Sequence, residues 1–125
     1  MGAVSESSGP HPDLFRSEAD IVNPSTAPLV GDGTVGWGGM ADKTPPPRDL
    51  QHLGGMWGDP APFVIPRHGS RPRIIPTDHP PEEKLPGAIN MAFYDGHVEQ
   101  VRLEGLWSLS WHKNYVAPEK RPGLK

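Results

Sequence analysis

Apolar and polar residues alternate most regularly near the C-terminal end, in AINMAFYDGHVEQVR (88–102). Ile89, Met91 and Phe93 fall on every second position. That is the spacing of one face of a strand. An Asp-Gly step, Asp95-Gly96, then interrupts the pattern, and a second short run begins at Val98. The spacing predicts a β-hairpin with a two-residue type I′ turn, in which both central residues need positive φ. In that register Tyr94 faces His97, Phe93 faces Val98 and Met91 faces Gln100. Ile89, Met91, Phe93 and Val98 then share the buried face.

The period changes after Arg102. Leu103, Leu106, Trp107 and Trp111 recur at helical spacing and predict a short amphipathic helix near 103–112, weakened by Gly105. Trp107 and Trp111 are read as core residues of that helix. Upstream, APLVGDG (27–33) reads as a short strand running into a glycine turn. Ser17 is placed to cap a short turn, and Pro24 and Pro28 exclude a long helix there. FVIP (63–66) is an apolar run that Pro66 ends. Between these elements, 36–62 and 67–87 carry no sustained period and read as long loops.

The expected class is α+β: a small antiparallel sheet with a hairpin at 88–102, a short C-terminal helix and long Pro/Gly-rich loops. The expected organisation is a disordered N-terminus at 1–14, one domain at 15–117 and a polar tail at 118–125. Composition sharpens this picture. The 125 residues include 17 prolines and 15 glycines, about a quarter of the chain. Leu, Ile, Val and Phe number 25, so the core is expected to be small.

Charge and length narrow the function classes. Net charge is −3, with −5 in residues 1–62 and +2 in residues 63–125. No long basic run points to nucleic acid. There is no cysteine, which excludes disulfides and thiolate metal ligands. No apolar run approaches the roughly 20 residues that cross a bilayer. MGAVSESSGPHPD lacks the basic and apolar regions of a signal peptide, so the sequence as written is expected to stay in the cytoplasm.

Several short patterns could carry chemistry. GDGTVG (31–36) has dinucleotide-loop spacing, but the Trp-Gly-Gly and prolines that follow exclude the helix such a loop opens. Its glycines read as turn residues. Asp95, His97 and Glu99 could in principle bind a metal. No H-x-x-x-H pair or EF-hand spacing accompanies them, so no metal and no cofactor is assigned. No G-x-S-x-G elbow is present, and no catalytic residue is assigned. Arg67, His68, Arg71 and Arg73 in RHGSRPR could hold a phosphate or carboxylate, or form a solvated loop. Trp37 and Trp57, in glycine loops, are candidates to stack on sugar.

Residues 85–124, LPGAINMAFYDGHVEQVRLEGLWSLSWHKNYVAPEKRPGL, resemble the C-terminal end of bacterial prepilin-like proteins with a processing-associated H-X9-DG domain. These belong to the type II secretion pseudopilin (protein G-like) superfamily. Asn90, Phe93, Asp95, Gly96, His97 and Val98 match its N-x-x-F-x-D-G-H-V core. Leu106 to His112 and Lys120-Arg121-Pro122-Gly123 look like the tail of one subgroup. Ten residues before Asp95, where the family has its histidine, stands Leu85. His68 can take that role if about 17 residues are inserted between.

The family's G-F-T-L-I-E type cleavage site and long apolar helix are not among these residues, so the chain reads as a truncated head. The resemblance implies a non-enzymatic structural subunit of an envelope or surface assembly, with other pilin-like subunits as partners. It also implies an inner-membrane, periplasmic or surface location. Without the long helix, Phe93, Val98, Leu103, Leu106, Trp107 and Trp111 are expected to form a partly uncovered apolar patch. The alternative is a small secreted binding module for carbohydrate or calcium, using the Trp-bearing loops and Asp95.

Overall fold

A computed structural model describes residues 15, 17–32, 43–51 and 63–125. The expected disordered stretch 1–14, most of GDGTVG, and Trp37 and Trp57 lie outside the described residues. The fold is α+β, built on one three-stranded antiparallel sheet. Its strands are β1 (Pro28–Gly31), β2 (Ala88–Phe93) and β3 (Val98–Arg102), in spatial order β1-β2-β3. A 3-10 turn at Glu18–Asp20 precedes the sheet and a 3-10 helix at Leu103–Ser108 follows it. Ser17 stands at the N-cap of the first turn, but its side chain makes no capping hydrogen bond.

β2 is the central strand, and it carries the alternation that the sequence shows. Ile89, Met91 and Phe93 are buried, while Asn90 is exposed and Ala92 half-buried. β3 pairs with β2 in the register Ala92↔Val98, Met91↔Glu99, Asn90↔Gln100, Ile89↔Val101. This is one residue away from the two-residue register expected. Phe93 does not face Val98, and Met91 faces Glu99, not Gln100. Because side chains alternate with period two, the slip transfers β3's faces. Val101 turns inward and is buried, and Val98 turns outward and is 67% exposed.

β1 lies on the other side of β2, irregular in register between Pro28 and Val30. Proline lacks the N–H a ladder needs, which suits this edge position. Beyond β1, His68 forms an isolated bridge with Ala88: each backbone N–H donates to the other's carbonyl at 2.9 Å. The chain thus occupies β2's second side twice, from segments far apart in sequence.

The C-terminal helix is shorter than expected and of the tighter 3-10 type. It ends at Ser108, and Leu109 onward is irregular, so Trp111 is not on it. Gly105 inside this short run favours such an end. Leu103, Leu106 and Trp107 face the sheet. Trp107 is buried and donates its indole N–H to the Thr44 carbonyl at 2.9 Å. Trp111 packs against the core from its rim and donates to the Leu106 carbonyl at 2.6 Å.

The core therefore sits between the inner face of β2 and β3 and the 3-10 helix. Its remaining wall comes from the loops. Leu50, Val64 and Leu85 join the same buried cluster as Phe93, Leu103, Leu106 and Trp107. Full burial of such side chains is worth roughly 1.5–3 kcal/mol each. The expected uncovered patch is thus corrected. Phe93, Leu103, Leu106 and Trp107 are at most 1% exposed, Trp111 is half-buried, and Val98 is exposed. No helix among the described residues is long and apolar enough to cross a membrane.

The closing run 118–125, polar in sequence, docks on the domain through Arg121. Its guanidinium meets both Glu104 oxygens, at 2.6 and 3.0 Å, and donates to the carbonyls of Pro81 and Glu83. Arg121 is 6% exposed. The Glu104 carboxylate also accepts the Leu85 N–H at 2.5 Å. One ion pair so ties the chain end, the 81–85 loop and the 3-10 helix together.

Candidate functional site

The hairpin turn is built from Phe93 to His97. Phe93 N–H donates to the His97 carbonyl, and Gly96 N–H donates to the Phe93 carbonyl, both at 3.0 Å. Gly96 alone in the turn has positive φ, at 91°. This is a three-residue loop, a type I turn closed by a glycine bulge. The expected type I′ turn is corrected accordingly: Asp95 keeps negative φ, and only Gly96 needs glycine's freedom. The bulge residue shifts the register by one.

Asp95 has its own function in the turn. Its Oδ1 accepts the backbone N–H of His97 at 3.1 Å, the side-chain-to-backbone bond typical of aspartate turns. The same oxygen meets Nδ1 of the His97 ring. The other ring nitrogen lies 3.5 Å from Glu99 Oε2. The His97 ring stacks flat on Phe93, not on Tyr94. Its hydrogen bond with Asp95 raises the His97 pKa above the ordinary 6.5, opposed by desolvation and supported by Glu99. The same bond, with the His97 backbone N–H, holds Asp95 below the ordinary 3.8.

The turn is also anchored from outside. Tyr94 N–H donates to the Ala27 carbonyl at 3.1 Å and Asp95 N–H to the Pro24 carbonyl at 3.2 Å. The proline-bearing segment before β1 thus holds the turn's outer side. Thr26 in turn pairs with Ser110 through both backbone and side chain, each at 2.8 Å.

His68 lies at the other end of β2. Its Nε2 is 2.6 Å from Asp32 Oδ2 and 3.3 Å from the Asn90 amide nitrogen. Asp32 and Asn90 thus flank the same His68 ring nitrogen. Arg67 Nε stands 3.6 Å from the other Asp32 oxygen. Asp32 is held there by its own N–H, which donates to the Asn90 carbonyl at 3.0 Å. The side chains of Arg67, His68 and Asp32 are 34–40% exposed, so water screens the pairings.

The residues singled out in the sequence thus fall into two groups, one at each end of β2. Phe93, Asp95, Gly96, His97 and Glu99 meet at the turn. His68, Arg67 and Asn90 meet near its start, joined by Asp32. Arg71 and Arg73 are exposed and do not join the Asp32 contacts. Asp32 was not singled out as a partner, because 36 residues separate it from His68. Neither histidine bonds a hydroxyl among the described residues. Nor do three histidine or carboxylate side chains gather among them in a form that could hold a metal ion. At the turn the polar contacts act on the backbone, through the Asp95 carboxylate and the His97 N–H. Comparison with protein-family models, with curated proteins and with solved structures finds no match.

Proposed function

We propose that this chain is the head domain of a pseudopilin-like structural subunit, non-enzymatic, whose partners are other pilin-like subunits of an envelope or surface assembly. One observation carries the reading. Phe93, Asp95, Gly96 and His97 of the N-x-x-F-x-D-G-H-V signature all work inside the hairpin turn. Phe93 enters the core and supports the His97 ring. Asp95 accepts the His97 N–H, and Gly96 supplies the positive φ. Asn90 flanks His68, the candidate for the family's histidine. A signature whose residues act on their own backbone is a folding motif, which suits a structural subunit better than an enzyme.

Val98 lies outside the turn, and it suits the same reading. Val30, Ala92 and Val98 align across the three strands on the outer face. Val30 is 65% and Val98 67% exposed. Such a row is a surface for subunit contact.

The test is the reading frame upstream of Met1. An in-frame G-F-T-L-I-E type segment followed by roughly 20 apolar residues supports the subunit reading. A cleavable signal peptide joined directly to residue 1 refutes it and favours the secreted binding module.

A further inference from the structure

The two edges of the sheet are treated differently. β1 is short, carries Pro28 and changes register at its start. β3 has none of these guards. It is unbroken in register, contains no proline, lysine or glycine, and holds one acid and one base, Glu99 and Arg102. The pairs Phe93/His97 and Gly87/Leu103 bond through the backbone at either end of the hairpin. The hydrogen-bonded positions between them are therefore Glu99 and Val101. The N–H and C=O groups of Val98 and Gln100 and the N–H of Arg102 point away from β2, while the Arg102 carbonyl sits at the N-cap of the 3-10 helix. No backbone bond among the described residues uses these outward groups, and all three residues are exposed.

We infer that β3 pairs edge to edge with β3 of a second copy of this chain, antiparallel about a two-fold axis at Gln100. The outward groups are self-complementary about that residue. Val98 then faces Arg102 of the second copy, Gln100 faces its own equivalent, and Arg102 faces Val98. These pairs give about four backbone hydrogen bonds. In this register no ionised side chain stands directly opposite a like charge. Val98 lies against the aliphatic stem of Arg102, and the Gln100 amides can bond each other across the axis. On the other face Glu99 lies opposite Val101, with the second Glu99 diagonal to it and each carboxylate beside its own His97. The product is a continuous six-stranded sheet in which the Val30–Ala92–Val98 row meets the second copy. Five paired residues make a small interface, below about 1,200 Å², so the dimer is concentration-dependent.

The chain has no cysteine, so a single introduced one reports only contacts between copies. In a hydrogen-bonded antiparallel pair the Cα atoms stand about 5.5 Å apart, within disulfide reach. Under mild oxidation the Gln100→Cys protein should form a covalent dimer. Val98→Cys and Arg102→Cys should not do so singly, but should cross-link when mixed. Sedimentation equilibrium of the unmodified 125-residue chain should show a reversible dimer. Gln100→Lys, which sets two like charges opposite on the axis, should abolish it while the thermal melt at concentrations where the chain is monomeric stays the same. A chain monomeric at every concentration overturns the pairing. So does cross-linking of Val98→Cys alone as fast as Gln100→Cys, or a dimer that Gln100→Lys leaves intact.

Discussion

The His97 ring lies parallel to that of Phe93, with centroids 4.6 Å apart and planes 7° from parallel. Phe93 belongs to the core, so the stacking ties a half-buried, titratable ring to a fixed platform. The His97 contribution to stability is whole below its unfolded value near 6.5, and is lost as pH rises through its higher folded value. The Asp95 contribution is whole above its unfolded value near 3.8, and is lost as pH falls through its lower folded value. The pair therefore supports the turn most between 3.8 and 6.5. In a proton-NMR titration the His97 ring should show a midpoint above 6.5, and Asp95→Asn should bring it down. A midpoint at or below 6.5, or one indifferent to Asp95→Asn, would refute the pairing.

Two glycines separate backbone strain from steric clash. A Cβ at Gly96 would meet nothing within 4 Å, but φ there is +91°. Gly96→Val should thus cost roughly 1–2 kcal/mol through the backbone alone, and Gly96→Asn less. At Gly87 φ is +76° and a Cβ would come within 2.5 Å of Pro66 Cβ, so even Gly87→Ala should be far worse. Urea titration should rank the losses Gly96→Asn, Gly96→Val, Gly87→Ala, smallest first. Equal midpoints for Gly96→Val and the unmodified chain would count against the turn as described.

Arg121 joins three segments through one buried guanidinium. Arg121→Ala leaves the Glu104 carboxylate and the Pro81 and Glu83 carbonyls without their donor. The expected loss is about 3 kcal/mol. Arg121→Lys should recover only part of it, because an ammonium cannot span both Glu104 oxygens as the planar fork does. Denaturant melts check both. A protein ending at residue 117 that melts like the full chain would contradict the docking of residues 118–125.

Divalent metal binding is expected to be weak. Asp95, the candidate ligand at the tip of the hairpin, already accepts from the His97 backbone and ring. Calorimetric titration with calcium and with zinc should show no sub-micromolar site. A tight stoichiometric site that disappears in Asp95→Asn would overturn that expectation.

The elements themselves were legible in the sequence where periodicity is local. Ile89, Met91 and Phe93 alternate within six residues, and a strand exposing alternate faces follows from backbone geometry alone. Asp95-Gly96 marked the reversal for the same reason. Leu103, Leu106 and Trp107 fell on one helical face, and that face is the buried one. The register was not legible, since Asp-Gly serves both a two-residue turn and a three-residue turn with a glycine bulge. The anchoring of Tyr94 and Asp95 on Ala27 and Pro24 goes with the second. One residue of slip then exposed Val98 and buried Val101.

Contacts across long separations belonged to the tertiary structure alone. His68 meets Asp32, Arg121 meets Glu104, and Trp107 reaches Thr44. None of these pairs leaves a periodic trace, because each is a single side chain meeting one distant partner. The Pro/Gly-rich loops show the same limit. Composition marked them as irregular, and their described residues, 43–51 and 67–87, form no strand or helix. Yet Leu50 and Leu85 wall the core from within them, beside Val64 of the short apolar run 63–66. An isolated apolar residue in a loop looks the same in sequence whether it faces water or Trp107. Which way it faces is decided by the path of the folded chain, where burying it removes apolar surface from water.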